Sequence, residues 1–358
     1  MKKFIVNIMP EGFKKFLKGI ISNIEMAKIR FFGKNPMRSH IYYSFFSKEF
    51  INQHYAVFKG KEAYINGVEN SEQSLVLLRR NTHRLEKGLI MRPRRSVFAA
   101  DYILETTLAF ETCVNYKIGE CEEVKWAHDV LKEYFSSVDY NDNKNISDSK
   151  AMFELIKISY LNEKDKLLIP YKYSDLPESK ISYSDLGNLF LRRRSVRWFE
   201  QVDVQVETLE EAIMHASLAP SACNRQPFRY HAILCQDQAT EFADIAMGTK
   251  GFSHNIPAMI AVVGDLSAYP FERDRNVIYI DGSLSSMQLM LSLETLGLSS
   301  CPINWPDMPE KDKKITEYLQ LKPYEKVIML IAVGYADKDG LIPFSQKKTK
   351  DSLLKIVR

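Results

Sequence analysis

The pattern of hydrophobic and polar positions divides the chain into three zones. In residues 1–40, Phe13, Phe16, Leu17, Ile20, Ile21, Ile24 and Phe31 fall near one face of a helix. Residues 41–175 read as mostly helical. One helix is expected from Ser71, through SLVLLRRNTHRLEK, with Gly88 as its C-terminal stop. A second runs through ADYILETTLAFETCVNY and a third through EVKWAHDVLKEYF. The segment DYNDNKNISDSK, 139–150, reads as a polar loop. Residues 181–358 alternate helix-like and strand-like runs, which predicts a layered α/β or α+β domain. SDLGNLFLRRRS is helical with Ser184 as N-cap, and TLEEAIMHASLA has Thr208 and Glu211 in capping-box spacing. RYHAILC, AMIAVVG and VIMLIAVGYA read as buried strands. IDGSLSSMQLMLSLETLG is a helix with small or apolar residues nearly all round, stopped at Gly297, so it must be covered on most sides.

Composition narrows the class. The 358 residues are 45% hydrophobic and 26% charged, enough for a sizeable core and ordinary for a globular chain. A net charge of +4 does not support a nucleic-acid binder. Five cysteines without a CxxC argue against a disulfide framework or a zinc site, and the histidines show no metal spacing. No metal is therefore expected, and a reducing, cytoplasmic setting is. No run approaches the ~18 apolar residues of a membrane span. The charge is uneven: residues 1–40 hold nine basic and two acidic residues. Lys14, Lys15 and Lys18 break any signal-peptide core. A basic amphipathic helix suits either docking on its own protein or a peripheral contact with an anionic membrane, so a membrane-peripheral location is the alternative to a purely cytoplasmic one.

There is no GxGxxG after a strand, no GxxxxGK[ST] loop and no GxSxG elbow. Chemistry would have to come from something bound. In RRRSVRWF, Arg193, Ser195 and Arg197 alternate, so an extended segment would point all three the same way. Two guanidiniums and a hydroxyl suit a phosphate and an electron-rich ring edge, although a solvated helix end explains RRRS alone as well. The stretch APSACNRQPF, 219–228, is a polar helix-to-strand corner in which Pro220 and Pro227 restrict the backbone and Ser221 and Asn224 can satisfy it.

Taken in order, RRRSVRWF, the APSxxNxQPF corner, the covered helix ending LGLSSCPIN, and VGYA resemble the FMN-dependent nitroreductase family, over roughly residues 183–358. The resemblance implies an α+β core with a central sheet flanked by helices, a homodimer, and FMN sites at the subunit interface. It implies hydride transfer from NADH or NADPH to the flavin and then to a small-molecule acceptor. Arg193 and Ser195 would hold the phosphate and ribityl chain, and Arg197 would lie near the flavin N1–O2 edge. Pro220, Ser221, Asn224 and Gln226 match the loop that meets the flavin of the other subunit. Pro302, Ile303 and Asn304 match the segment facing flavin N5, with the Asn304 backbone beside that atom. Lys347 and Lys348 stand where the family often has a basic phosphate contact. The region GTKGFSHN, 248–255, is where a further flavin contact is expected.

Departures are visible. Phe228 stands where many members have Trp, Lys347 and Lys348 replace the more usual Arg, and Cys223 lies inside the corner. The connection from Gly264 to Ile280 is short where larger members insert helices that wall the substrate pocket. The helical N-terminal zone is expected to supply that wall, with Arg84 and Lys87, in RRNTHRLEKGLIMRPRR, as contacts for an anionic substrate. The leading expectation is an FMN-dependent oxidoreductase working by ping-pong hydride transfer. Reductive dehalogenation or oxidative desaturation is a variant within the same fold. A non-catalytic flavin-binding or membrane-surface scaffold is the alternative from another class.

Overall fold

The computed structural model describes residues 10–69, 74–116, 121–140, 143–158 and 166–357. It contains thirteen α-helices and one four-stranded sheet among the described residues. The chain divides into two compact units, residues 1–55 and 56–358.

The first unit holds α1 (Glu11–Phe32), α2 (Pro36–Ile41) and a π-helical turn, Tyr42–Phe46. α3 (Ile51–Glu69) begins there and continues into the second unit. Next come α4 (Ser74–Leu89), α5 (Ile103–Tyr116), α6 (Cys121–Ser137) and α7 (Lys144–Leu155). These pack around Leu78, Leu85, Phe110, Leu131 and Tyr134, all essentially inaccessible to solvent.

The expected helices α4, α5 and α6 are present, with differences that have physical reasons. The predicted start at Ser71 lies outside the described residues. Gly88 does not end α4: the helix runs on to Leu89. A Cβ at Gly88 would come 2.3 Å from the Phe98 ring, so glycine here permits a close approach. The polar segment 139–150 is not all loop. Asn143 caps α7, its side chain accepting from the Ile146 amide at 3.2 Å, and Ile146 and Ser149 are buried.

The remainder reads α8 (Tyr183–Arg192), α9 (Val206–Ala216), β1 (Phe228–Ile233), α10 (Gln236–Ile245), β2 (Ala258–Asp265), α11 (Val277–Thr295), β3 (Ser299–Asn304), α12 (Pro309–Leu319), β4 (Glu325–Gly334) and α13 (Lys350–Leu353). Ser182, not Ser184, caps α8, accepting from the Asp185 amide at 3.0 Å. α9 begins at Val206, so Thr208 lies inside it and the capping box is not formed.

The sheet order is β1-β2-β4-β3, with every neighbour antiparallel. Alternation along β2 feeds two cores. Met259, Ala261 and Val263 face α10 and α12; Ala258, Ile260 and Val262 face α9 and α11. A bulge opposite Val262 and Val263 shifts the parity of β4, so Leu330 and Ala332 join the first core and Ile331 and Val333 the second.

α11 lies close on the sheet, since a Cβ at Gly282 would fall 2.3 Å from Ile328 Cδ1. It ends as expected at Gly297, at φ +83°. There the Leu298 amide donates to the Leu293 carbonyl at 2.9 Å and the Gly297 amide to Glu294 at 3.4 Å, a Schellman termination. α3 packs on the short connection before α11: Ala56 joins Leu266, Ala268, Tyr269 and Ile278 in one cluster. Part of the N-terminal helical zone thus covers that connection.

Candidate functional site

The two motif regions lie at opposite edges of the sheet. The corner leads directly into edge strand β1. Residues 193–199 run along the other edge, where Ser195 pairs with Ser300 of β3 and the Val196 amide donates to the Ser300 carbonyl at 3.1 Å. Three strand spacings separate β1 from β3, about 14 Å at ~4.8 Å each.

The helix expected to run through Ser195 stops at Arg192, and from Arg193 the chain leaves it to run along the β3 edge, which meets the condition under which Arg193, Ser195 and Arg197 would share a side. The 193–199 segment is pinned at its far end: the Asn255 side chain accepts from the Phe199 amide at 2.6 Å and donates to the Phe199 carbonyl at 3.2 Å. Asn255 lies within GTKGFSHN, and this clamp escapes sequence reasoning because its partner is backbone. Arg193, Ser195 and Arg197 are all half-buried. Neither Arg193 nor Arg197 makes an ion pair among the described residues; Arg197 contacts the Ser195 carbonyl at 3.4 Å and the Phe252 ring at 5.7 Å. Their neighbour Arg192 is different, pairing with buried Glu294 at 3.0 Å.

Beneath them, burial pushes the Cys301 thiol up, while Arg197, the Ser195 side chain and Arg193 pull it down, so all three lie around that position. Ser300 is fully buried, and its Oγ has no hydrogen-bond partner. Two unpaired guanidiniums and two hydroxyls, one of them orphaned, suit an anionic, oxygen-rich ligand. Pro302, Ile303 and Asn304 continue along β3, with Ile303 buried and Asn304 exposed. Proline is tolerated there because β3 is an edge strand. Lys347 and Lys348 are exposed. They follow closely on Pro343, whose carbonyl Arg194 binds at 2.9 Å, so the tail is tethered to the same segment.

The corner at the β1 edge is strained and tightly held. Cys223, Asn224 and Gln226 have φ of +53°, +51° and +50°. For residues with a Cβ this costs about 1–2 kcal/mol each, with Asn the most tolerant. Several contacts hold it, among them Gln226 Nε2 donating to the Ser217 carbonyl at 2.6 Å. The Ala222 amide donates to Asp281 Oδ2 at 3.0 Å, and the Gln226 amide donates to Ser221 Oγ at 3.1 Å. Arg79 of α4 donates to the Asn224 carbonyl at 3.1 Å and to Gln226 Oε1 at 2.8 Å. Arg79 is itself paired with Glu123 of α6. Asp281 is buried on α11 and also accepts from Tyr269 Oη at 3.2 Å; burial raises its pKa against the pull of these partners and of Arg225. Pro220 is exposed, and Ser221, Asn224 and Gln226 are half-buried.

Arg84 and Lys87 are not brought to this corner. Arg84 lies 3.5 Å over the Tyr102 ring and 3.9 Å from Asp101, both beside α5, and Lys87 is exposed. The residue of that basic run that reaches the corner is Arg79, one to two turns earlier. Its position on the helix face shared with Leu75 and Leu78 is the sequence signal that could have found it.

Residues 191–335 match the family model described as "Nitroreductase family". Iodotyrosine deiodinase 1 of Mus musculus is 22% identical over 219 residues, covering 52% of this chain and 75% of that protein. The iodotyrosine deiodinase of Nematostella vectensis is 23% identical over 63% of this chain and 98% of its own length. A putative NAD(P)H nitroreductase of Bacillus subtilis is 26% identical, over 45% of this chain and 92% of its own. Among solved structures, an FMN-dependent nitroreductase from Clostridium difficile is 26% identical with a TM-score of 0.37, covering 46% of this chain and 92% of that one. The C-terminal half therefore carries a nitroreductase-family region, preceded by a helical N-terminal region.

Proposed function

We propose that the protein is an FMN-dependent oxidoreductase that draws hydride from NADH or NADPH and passes it to a small-molecule acceptor in a ping-pong cycle. The observation that carries this reading is the β3 edge, where half-buried Arg193 and Arg197 make no direct ion pair among the described residues and Ser300 Oγ is orphaned. Such a group of cations and hydroxyls favours a phosphorylated, anionic ligand. The family match over residues 191–335 supports flavin as that ligand.

FMN, when bound, supplies a ring that accepts and returns hydride at N5. The chain's own residues bind and orient it. Arg193 and Ser195 take the phosphate and ribityl chain, with Lys347 and Lys348 on the adjoining tail as further cations. Arg197 stabilises negative charge near N1 and O2. The backbone of Pro302, Ile303 and Asn304 faces N5. Pro220, Ser221, Asn224 and Gln226 complete the site from a second copy of the chain. The resemblance of the corner to the family's loop that meets the flavin of the other subunit is what supports a homodimer here.

A second reading concerns the acceptor. Iodotyrosine deiodinases from mouse and Nematostella are among the relatives, which favours reductive dehalogenation of a small aromatic. Halide release from iodotyrosine, compared with turnover of a nitroaromatic, separates the two.

The test is a spectrum. Purified protein loaded with FMN should show bound-flavin absorbance that bleaches anaerobically with NADH or NADPH. Flavin that binds but resists bleaching by either donor would favour the non-catalytic scaffold.

A further inference from the structure

Residues 1–55 form a compact unit whose charge is unlike that of the rest of the chain. They hold ten basic and three acidic residues, a net +7 in a chain of net +4, so the remainder is acidic by three. α1 buries none of its residues. Phe13, Phe16, Ile20, Ile24 and Phe31 share one face and are 40–63% exposed. Lys15 and Lys18 lie on the opposite face, and Lys14, Lys28 and Arg30 flank the stripe.

Beyond Gly33 the chain turns. Asn35 caps α2 by accepting from the Arg38 amide at 3.0 Å, and Ser39 Oγ donates to the Phe32 carbonyl at 2.9 Å. The turn sets Tyr42 and Phe46 against Phe32, at ring-centroid distances of 5.1 and 5.8 Å. Tyr43, Phe45 and Phe46 are left 41%, 80% and 68% exposed. No described helix is long and apolar enough to cross a membrane.

We propose that residues 11–46 dock in the plane of an anionic lipid bilayer. The apolar stripe and the exposed aromatics enter the headgroup–acyl boundary, and the lysine and arginine side chains reach the lipid phosphates along their aliphatic stems. Charge complementarity selects this occupant over a second copy of the chain: pairing this face with itself would oppose two units of net +7.

The test uses the full chain and co-sedimentation with vesicles of phosphatidylcholine alone or mixed with phosphatidylglycerol. Binding should be at least about tenfold stronger to the anionic vesicles. It should fall severalfold as salt rises and the screening length shrinks from about 10 Å at 0.1 M to about 3 Å at 1 M. Two variants, Phe16→Ser/Ile20→Ser/Ile24→Ser and Lys14→Gln/Lys15→Gln/Lys18→Gln, should each lose most of it. Because α1 buries no residue, both should keep the parent's melting temperature. Equal binding to neutral vesicles overturns the proposal, as does no binding to either. Lipid-independent self-association abolished by the apolar variant also overturns it, and assigns the face to a second copy.

Discussion

The two edges of the sheet carry the two halves of the candidate site in opposite states. At the β1 edge the corner is strained and held through its backbone: Asp281, Ser221 and Arg79 answer backbone groups and the Gln226 side chain, although Arg225 Nε is buried without a hydrogen-bond partner among the described residues. At the β3 edge the backbone is relaxed and extended, while the side chains are left unanswered. Among the described residues Arg193 and Arg197 make no direct ion pair, although Arg193 lies within electrostatic reach of buried Glu294, and Ser300 Oγ has no partner. A protein interior leaves cations and hydroxyls unmatched at a cost, so their persistence argues for a ligand that matches them. The corner instead stores strain where shape is needed.

That contrast breaks most sharply at the β3 edge. Arg193→Ala combined with Arg197→Ala removes two charge-assisted contacts, and should weaken FMN binding by about 10- to 100-fold. Because neither arginine makes a direct ion pair among the described residues, the melting temperature of the flavin-free protein should move little. A large drop in that temperature would make the pair structural.

Arg79→Ala should do the reverse. It leaves Glu123 without its partner and the corner without its grip, and should cost about 2–3 kcal/mol of stability by denaturant unfolding. Arg79→Lys should recover only part, since an ammonium cannot reproduce the fork that binds Glu123, Asn224 and Gln226 together.

Asn224 sharpens the strain argument. At φ +51°, Asn224→Ala should destabilise by about 1 kcal/mol, and Asn224→Gly should stay within about 0.5 kcal/mol of the parent. Comparing the two by thermal melting separates backbone strain from loss of the side chain. Equal stabilities would mean that the corner is not strained.

The smallest effect expected is a pH dependence at Asp281. Burial raises its folded pKa above the ordinary 3.8, so the folded protein holds this proton to higher pH than the unfolded chain does. Stability from this group should fall as pH rises from 3.8 through the raised value, then stay level. Asp281→Asn, which can still accept from the Ala222 amide, should remove that slope. Its stability relative to the parent should therefore improve from pH 3 to pH 7, measured by urea unfolding at both.

The uneven legibility of the sequence follows the same physics. Strands β2 and β4 were readable as continuous apolar runs, and α11 because it lacks a polar face and ends at Gly297; β1 was readable as a strand but is not the buried one expected, since it lies at the sheet edge with only Ile233 buried. β3 was legible only as the motif SSCPIN, since its serines and proline mask strand character that the edge position permits. α7 was hidden by its polar surface, with Asn143 as the one cap signal. The alternation of Arg193, Ser195 and Arg197 was legible, but the end of α8 at Arg192 was not, because RRRS continues a helix-compatible run. The grip of Arg79 on the corner and the clamp of Asn255 on Phe199 could not be read off, because they join side chains to backbone groups far away in sequence. The basic run of α4 showed its charge but not that its Arg79 turn faces the corner.

The most direct measurement is an FMN titration of the purified full-length protein, read by flavin fluorescence and by melting temperature, beside the Arg193→Ala/Arg197→Ala variant. The account predicts saturable binding that raises the melting temperature of the parent and is about 10- to 100-fold weaker in a variant that remains folded. A folded parent that neither binds FMN nor is stabilised by it would contradict the account.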